Sequence, residues 1–278
     1  KFPKSPDLNS FWKNLEAGRD LVSEIPSDRW DWKEYWGDPV TEPNKTNIKW
    51  GGFIDDVDKF DAEFFKVSPR EAQLMDPQQR LMLEVVWEAI EDAGYRASDL
   101  AKKTTGLMIG VSTDDYHDLA RRSSAVEPYT TTGSVFNILA NRISYLLNLT
   151  GPSFAVDTAC SSSLIAMHQG VRALENGDCD VVIAGGVNIM LSPYWFVSFG
   201  KAGMLSPDGR CKTFDRDANG YVRGEGAGAV VMMRLSQARA EGVPIYGIVR
   251  GSAISHGGKA VSMTAPNLAA HVSLLKRA

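Results

Sequence analysis

A chain of 278 residues can bury a large core, and a composition 44% hydrophobic and 23% charged fits a globular protein that stays in water. A formal net charge of −4 with no basic block argues against nucleic acid as a partner. No apolar run reaches the roughly 18–20 residues of a membrane helix, and no signal peptide opens the chain. Cys160, Cys179 and Cys211 are too irregularly spaced for a disulfide framework or a zinc pattern, so a reducing, cytoplasmic setting is expected.

In chain order, Asn9 or Ser10 is placed to cap a first helix running to about residues 15–18. From Leu21 to about Trp50 no period is visible. Trp30, Trp32, Trp36 and Trp50 are interrupted by Pro26, Pro39 and Pro43, which reads as a long loop pinned by aromatics. Ser68-Pro69-Arg70-Glu71 reads as a helix start. The clearest helix follows, with Asp76 as N-cap, Pro77 at the first helical position and Gln79 three residues after the cap. Its apolar face includes Leu81, Met82, Val85, Val86 and Ile90, and Gly94 is placed to close it. Residues 105–111 are short and apolar, a buried strand.

Asp114-Asp115-Tyr116-His117 invites a metal, but the acidic pair and His are adjacent in sequence with no second cluster, so a surface loop is expected. Residues 138–147 read as a helix, and 180–187 as a strand whose two glycines imply close backbone approach. Pro193 to Gly203 holds Tyr194, Trp195, Phe196 and Phe199, which suits a lipophilic tunnel and ordinary core packing equally. A dinucleotide loop is rejected at Gly224–Gly228, because the apolar strand at 229–233 follows the glycines instead of preceding them. A helix at 235–241 and a strand at Ile245–Val249 complete another unit. Strands and helices alternate throughout, which argues a layered α/β fold with no repeat visible in the sequence.

The stretch that organises the rest is Phe154-Ala155-Val156-Asp157-Thr158-Ala159-Cys160-Ser161-Ser162-Ser163. A strand ends at Val156 and a helical pattern begins near Ser162, which puts Cys160 at a helix entrance. Unpaired N–H groups and the positive end of the helix dipole favour a thiolate there. A small buried Cys in a turn is the other reading of such a position.

Asp157-Thr158-Ala159-Cys160-Ser161-Ser162-Ser163-Leu164 resembles the active-site segment of the β-ketoacyl synthases, specifically the ketosynthase domains of modular polyketide synthases. Asp76-Pro77-Gln78-Gln79-Arg80, Ala140-Asn141-Arg142-Ile143-Ser144 and Gly185-Gly186-Val187-Asn188 follow the family's order. So do Leu205-Ser206-Pro207-Asp208-Gly209-Arg210-Cys211 and Gly220-Tyr221-Val222-Arg223-Gly224-Glu225-Gly226. The resemblance implies a thiolase-like layered αβαβα fold, here incomplete: the first strand and most of the C-terminal half are absent. It divides the chain into an N-terminal ketosynthase half, residues 1–243, and the start of the C-terminal half, residues 244–278.

It also implies polyketide chain elongation, with Cys160 as the catalytic acyl acceptor and its own backbone N–H as an oxyanion donor. Substrates would arrive on the phosphopantetheine of an acyl carrier protein, with no cofactor of the domain's own. The working unit would be a homodimer beside neighbouring polyketide synthase domains, with the region of residues 130–147 at the dimer interface. The two histidines that assist decarboxylation in the family have no counterpart among His117, His168, His256 and His271. His168 lies eight residues beyond Cys160, about 12 Å along a helix axis and out of reach of a base. The fragment alone is therefore expected not to condense, whether it belongs to a larger protein or pairs with a complementary ketosynthase fragment. The rival readings are a non-condensing, transacylating ketosynthase and a module that only docks carrier proteins.

Overall fold

The computed structural model describes residues 1–123 and 126–278. Among them seven strands occur: β1 (Ser23–Glu24), β2 (Trp50–Gly52), β3 (Thr105–Gly110), β4 (Ser153–Val156), β5 (Val181–Asn188), β6 (Arg223–Gly224) and β7 (Gly226–Met233). Helices alternate with them, so the architecture is mixed α/β. The chain divides into two compact units. One comprises Lys1–Val85, Val111–Leu139 and Gly186–Gly228; the other comprises Val86–Gly110, Ala140–Gly185 and Ala229–Ala278. No helix among the described residues is long and apolar enough to cross a membrane.

In the first unit the opening helix spans Leu8–Glu16 and its cap is Asp7, whose carboxylate accepts from the Ser10 N–H at 2.7 Å. Asn9 and Ser10 lie inside the helix, because Asp7 meets the same geometric need earlier in the chain. The Trp-rich stretch is largely irregular apart from β1 and a 3-10 turn at Trp32–Tyr35. Aromatics do pin it: the Trp30 ring lies 5.3 Å from Phe196 and 6.5 Å from Phe53, in a core with Ile25, Ile48, Met190 and Leu205. β2 pairs antiparallel with β1 and parallel with β6, in the register Gly51↔Arg223.

Beside β6 sits a buried ion pair. The Glu225 side chain is 0% exposed and its Arg29 partner 5%. The carboxylate accepts from the backbone N–H of Ile54 at 2.7 Å and of Met190 at 2.9 Å, and from Arg29 Nη2 at 3.3 Å. Burial raises its pKa against the pull of these donors. One side chain thus fastens three distant segments.

Asp76 caps the Pro77–Asp92 helix as its position in the sequence suggested, accepting from the Gln78 N–H at 2.8 Å. Gln79 Nε2 donates to the carbonyls of Gly133 at 3.0 Å and Thr132 at 3.2 Å. Gln78 reaches the other way, with Nε2 to the Thr113 carbonyl at 2.7 Å. Burial pushes the Asp76 carboxyl up to about 6.

One expectation fails in this unit, and one left open is decided. Asp115 is not in a surface loop: it begins the Asp115–Ser123 helix, is buried, and accepts from the N–H groups of Leu191 at 2.9 Å and Ser192 at 3.1 Å. Tyr194–Lys201 is a helix whose Phe196 and Phe199 rings lie 5.3 and 5.4 Å from the Arg223 guanidinium, so Phe196 is core.

The second unit is built on a sheet of order β4-β3-β5-β7. β3 and β4 run parallel, with Leu107↔Ser153 through Gly110↔Val156 in register. All six residues of β3 are buried, as a short apolar run with both faces covered demands. The Ser162–Asn176 helix lies on this sheet through Ala166, Ala173 and Leu174, packed with Met108, Val182 and Ala184. The Leu235–Glu241 helix falls where it was expected. The expected strand at Ile245–Val249 does not form: the segment has no strand partner, and Tyr246 is 81% exposed. An apolar run makes a strand only when a neighbour takes its hydrogen bonds.

Two outcomes follow from these buried carboxyls. Replacing Glu225→Gln leaves the buried Arg29 cation with only the exposed Asp28 carboxylate, at 3.3 Å, as counter-charge, and is expected to lower unfolding stability by about 3 kcal/mol in denaturant titrations. For Asp76 the folded pKa lies above the ordinary value of 3.8, so folding takes up a proton between the two values and the carboxyl's ionisation destabilises the fold as pH rises through that window. Asp76→Asn, which stays neutral and keeps an acceptor for Gln78, should therefore gain stability relative to the parent between about pH 4 and 6.5, by up to about 3 kcal/mol. A constant difference across that range would remove the assignment.

Candidate active site

The site lies where β4 gives way to the Ser162–Asn176 helix. β4 ends at Val156, and five residues, 157–161, make the turn. Asp157 Oδ1 accepts from the Ala159 N–H at 2.9 Å, drawing the chain back on itself. Ala159 takes a left-handed backbone, φ 54°, which costs a residue with a Cβ about 1–2 kcal/mol. Ala159–Ser161 then form a single 3-10 turn, and Cys160 is its middle residue. The helix proper begins two residues later than the thiol, with Ser161 as N-cap.

Hydroxyls hold this turn. Ser162 Oγ accepts from the Thr158 N–H at 2.9 Å and donates to the Ala159 carbonyl at 2.7 Å. Ser161 Oγ donates to the Thr158 carbonyl at 2.9 Å. The turn's own backbone bonds use the N–H of Ser161, to Thr158, and of Ser162, to Ala159. That of Cys160 lies outside them. The Ser161 side chain does not cap the helix start, whose dipole presents its positive end there.

The helix start is pressed against the end of β3. A Cβ at Gly110 would stand 2.5 Å from the Ser163 nitrogen and 2.9 Å from Ser162 Cβ, so only glycine fits there. Gly170, two turns on, similarly admits Val182 and Met232.

Cys160 is exposed. Cys179 is buried beside Gly106, and burial raises its thiol pKa, so it serves packing. Cys211 is exposed in the other unit, its sulfur accepting from the Val222 N–H at 3.4 Å. None of the histidines of the second unit is hydrogen-bonded to Cys160. His168 Nδ1 is 2.9 Å from Ser252 Oγ. His256 Nδ1 accepts from the Gly258 N–H at 2.9 Å, and His271 lies on the Leu268–Arg277 helix. His117 belongs to the first unit, on the helix that Asp115 opens. Ser162 and Gly110 were not recognised from sequence: the first is one of three consecutive serines, and the second ends an apolar run whose neighbour is fifty residues away.

Chemically, this is an accessible thiol on a constrained turn, beside a helix start and its own free N–H. Comparison with known proteins bears on the family. The family model described as "Beta-ketoacyl synthase, N-terminal domain" matches residues 1–238. The chain is 49% identical to polyketide synthase PksN of Bacillus subtilis (strain 168), over 100% of its own length and 5% of that protein's. It is 44% identical to polyketide synthase ThaG of Burkholderia thailandensis, again over 100% of its own length and 5% of that protein's. Among solved structures it superposes on the oxazolomycin ketosynthase domain OzmH KS7 of Streptomyces albus JA3453 with a TM-score of 0.93 and 42% identity, covering 99% of this chain and 47% of that one. The ketosynthase from module 6 of the bacillaene synthase of Bacillus subtilis 168 matches at TM-score 0.90 and 41% identity, with 99% and 46% covered. The chain thus spans about half the length of the solved domains it matches.

Gly110→Ala is expected to force the helix start off β3. Thermal unfolding should show a loss of about 1–3 kcal/mol, the range for overpacking a tight contact. Unchanged stability would mean that the contact is looser than 2.5 Å implies.

Proposed function

The chain belongs to the β-ketoacyl synthase family, and from that membership we propose that it supplies the acyl-accepting centre of a polyketide ketosynthase, with Cys160 as the nucleophile. The Cys160 thiolate attacks the carbonyl carbon of an acyl thioester. The oxyanion that forms is met by the Cys160 N–H, and the carrier's thiolate departs and takes up a proton. The acyl chain is left as a thioester on Sγ. In the condensing step a malonyl unit on a carrier protein loses carbon dioxide. Its enolate carbon then attacks the Cys160 thioester, and the Cys160 thiolate is released. Substrates come on the phosphopantetheine of an acyl carrier protein, and the working unit is a homodimer among other polyketide synthase domains. Residues 1–243 are the N-terminal ketosynthase half in this reading, and 244–278 the start of the C-terminal half.

What supports the reading is the combination at one turn of an exposed sulfur, a helix start and an unused N–H. Transfer without condensation stands as the second reading, because among the described residues no histidine of the second unit is hydrogen-bonded to Cys160. Incubation with an acyl-loaded carrier protein, read by intact mass and peptide mapping, should place one acyl group on Cys160 and none on Cys211. Cys160→Ala should carry none. Acylation that persists in Cys160→Ala would defeat the assignment.

A further inference from the structure

We infer that Ser162 is a positioning residue for the nucleophile, acting through the left-handed backbone of Ala159; the inference rests on the reading of Cys160 as acyl acceptor. Its hydroxyl binds both arms of the turn, accepting from the Thr158 N–H at 2.9 Å and donating to the Ala159 carbonyl at 2.7 Å. These two bonds bracket the residue whose φ of 54° carries the local strain. An alanine leaves the left-handed region unless its surroundings hold it there. If Ala159 relaxed, the peptide that joins it to Cys160 would rotate, and that peptide contains the Cys160 N–H. The Sγ and the N–H would then no longer converge on one carbonyl.

Ser162 can do this because it cannot itself move. It is buried, and its Cβ rests against Gly110 at the end of β3. The chain of support therefore runs from a glycine in the sheet, through a serine hydroxyl, to the backbone that aims the thiol. Ala159 is exposed, so hydrogen bonds hold its conformation, these two beside that of its N–H to Asp157, and not packing of its methyl group.

The role predicts a split between two reactions of the same sulfur. Thioester exchange needs Sγ and the N–H together, whereas alkylation by iodoacetamide needs only an accessible sulfur. In the full chain, Ser162→Ala should slow acylation of Cys160 by an acyl-N-acetylcysteamine thioester by about 10- to 100-fold, with iodoacetamide alkylation within about threefold of the parent. Adding Ala159→Gly, which removes the cost of the left-handed backbone, should restore part of the lost acylation. Ala159→Val, independently, should reproduce the loss, because a β-branched residue resists positive φ. It also keeps the inference testable if Ser162→Ala does not fold.

Acylation within twofold of the parent in Ser162→Ala, an equal fall in both reactions, or no rescue by Ala159→Gly would each overturn the role. Acylation unchanged in Ala159→Val would do the same. A parent chain that alkylates at Cys160 but never acylates there would fail the functional reading itself, and the inference with it. That outcome is told apart by the parent alone.

Discussion

A helix can begin flush against the end of a strand only where the strand brings no side chain to the contact. Gly110 meets that condition, and the Ser162–Asn176 helix starts against it. Gly110 is also paired with Val156, the last residue of β4. The chain leaving β4 must therefore reach a helix start that sits almost on top of the neighbouring strand, and it has only residues 157–161 in which to do so. Ala159 takes a left-handed backbone within that turn, and the thiol on the next residue is exposed although the neighbouring β3 is buried. Sheet geometry thus reaches the reacting atom through a few covalent bonds.

The first unit solves a different problem with charge. Glu225 and Arg29 are both withdrawn from water, a costly arrangement that becomes tolerable only because the carboxylate is also satisfied by backbone donors of Ile54 and Met190. Several motifs that mark the family are explained in the same way. Gln78 and Gln79 tie the loops at Thr113 and Gly133 to one helix start. Asn188 Nδ2 donates to the Gly224 carbonyl at 2.7 Å. Ser206 Oγ bonds Asp208 Oδ1 at 2.6 Å and Asn219 Oδ1 at 3.1 Å. Motif residues of this kind hold irregular backbone in place.

What could be read directly from the sequence was whatever local chemistry decides. Asp76 before Pro77 announces a capped helix, the run at residues 105–110 a buried strand, and Leu235–Glu241 a helix, and all three stand. The local frame of Cys160 was legible too, because a strand, small hydroxylated residues and a helix succeed one another there. Features decided across long sequence separations were not. Asp115 looks like a loop carboxylate until the N–H groups of Leu191 and Ser192 come to it. Ile245–Val249 looks like a strand until no partner arrives. Asp7 displaced Asn9 and Ser10 as first cap because all three residue types can cap, and composition alone does not choose among them. Ser162 needed both kinds of information: its hydroxyl acts locally, but its fixed position depends on Gly110.

The central claim is that this turn delivers a sulfur and its own amide N–H to one acyl carbonyl. A crystal structure of the Cys160 S-acyl adduct examines that claim directly. The carbonyl oxygen of the adduct should lie about 2.7–3.1 Å from the Cys160 nitrogen, with Ala159 still left-handed. An adduct whose carbonyl points away from that nitrogen, or a turn in which Ala159 has relaxed, would contradict it.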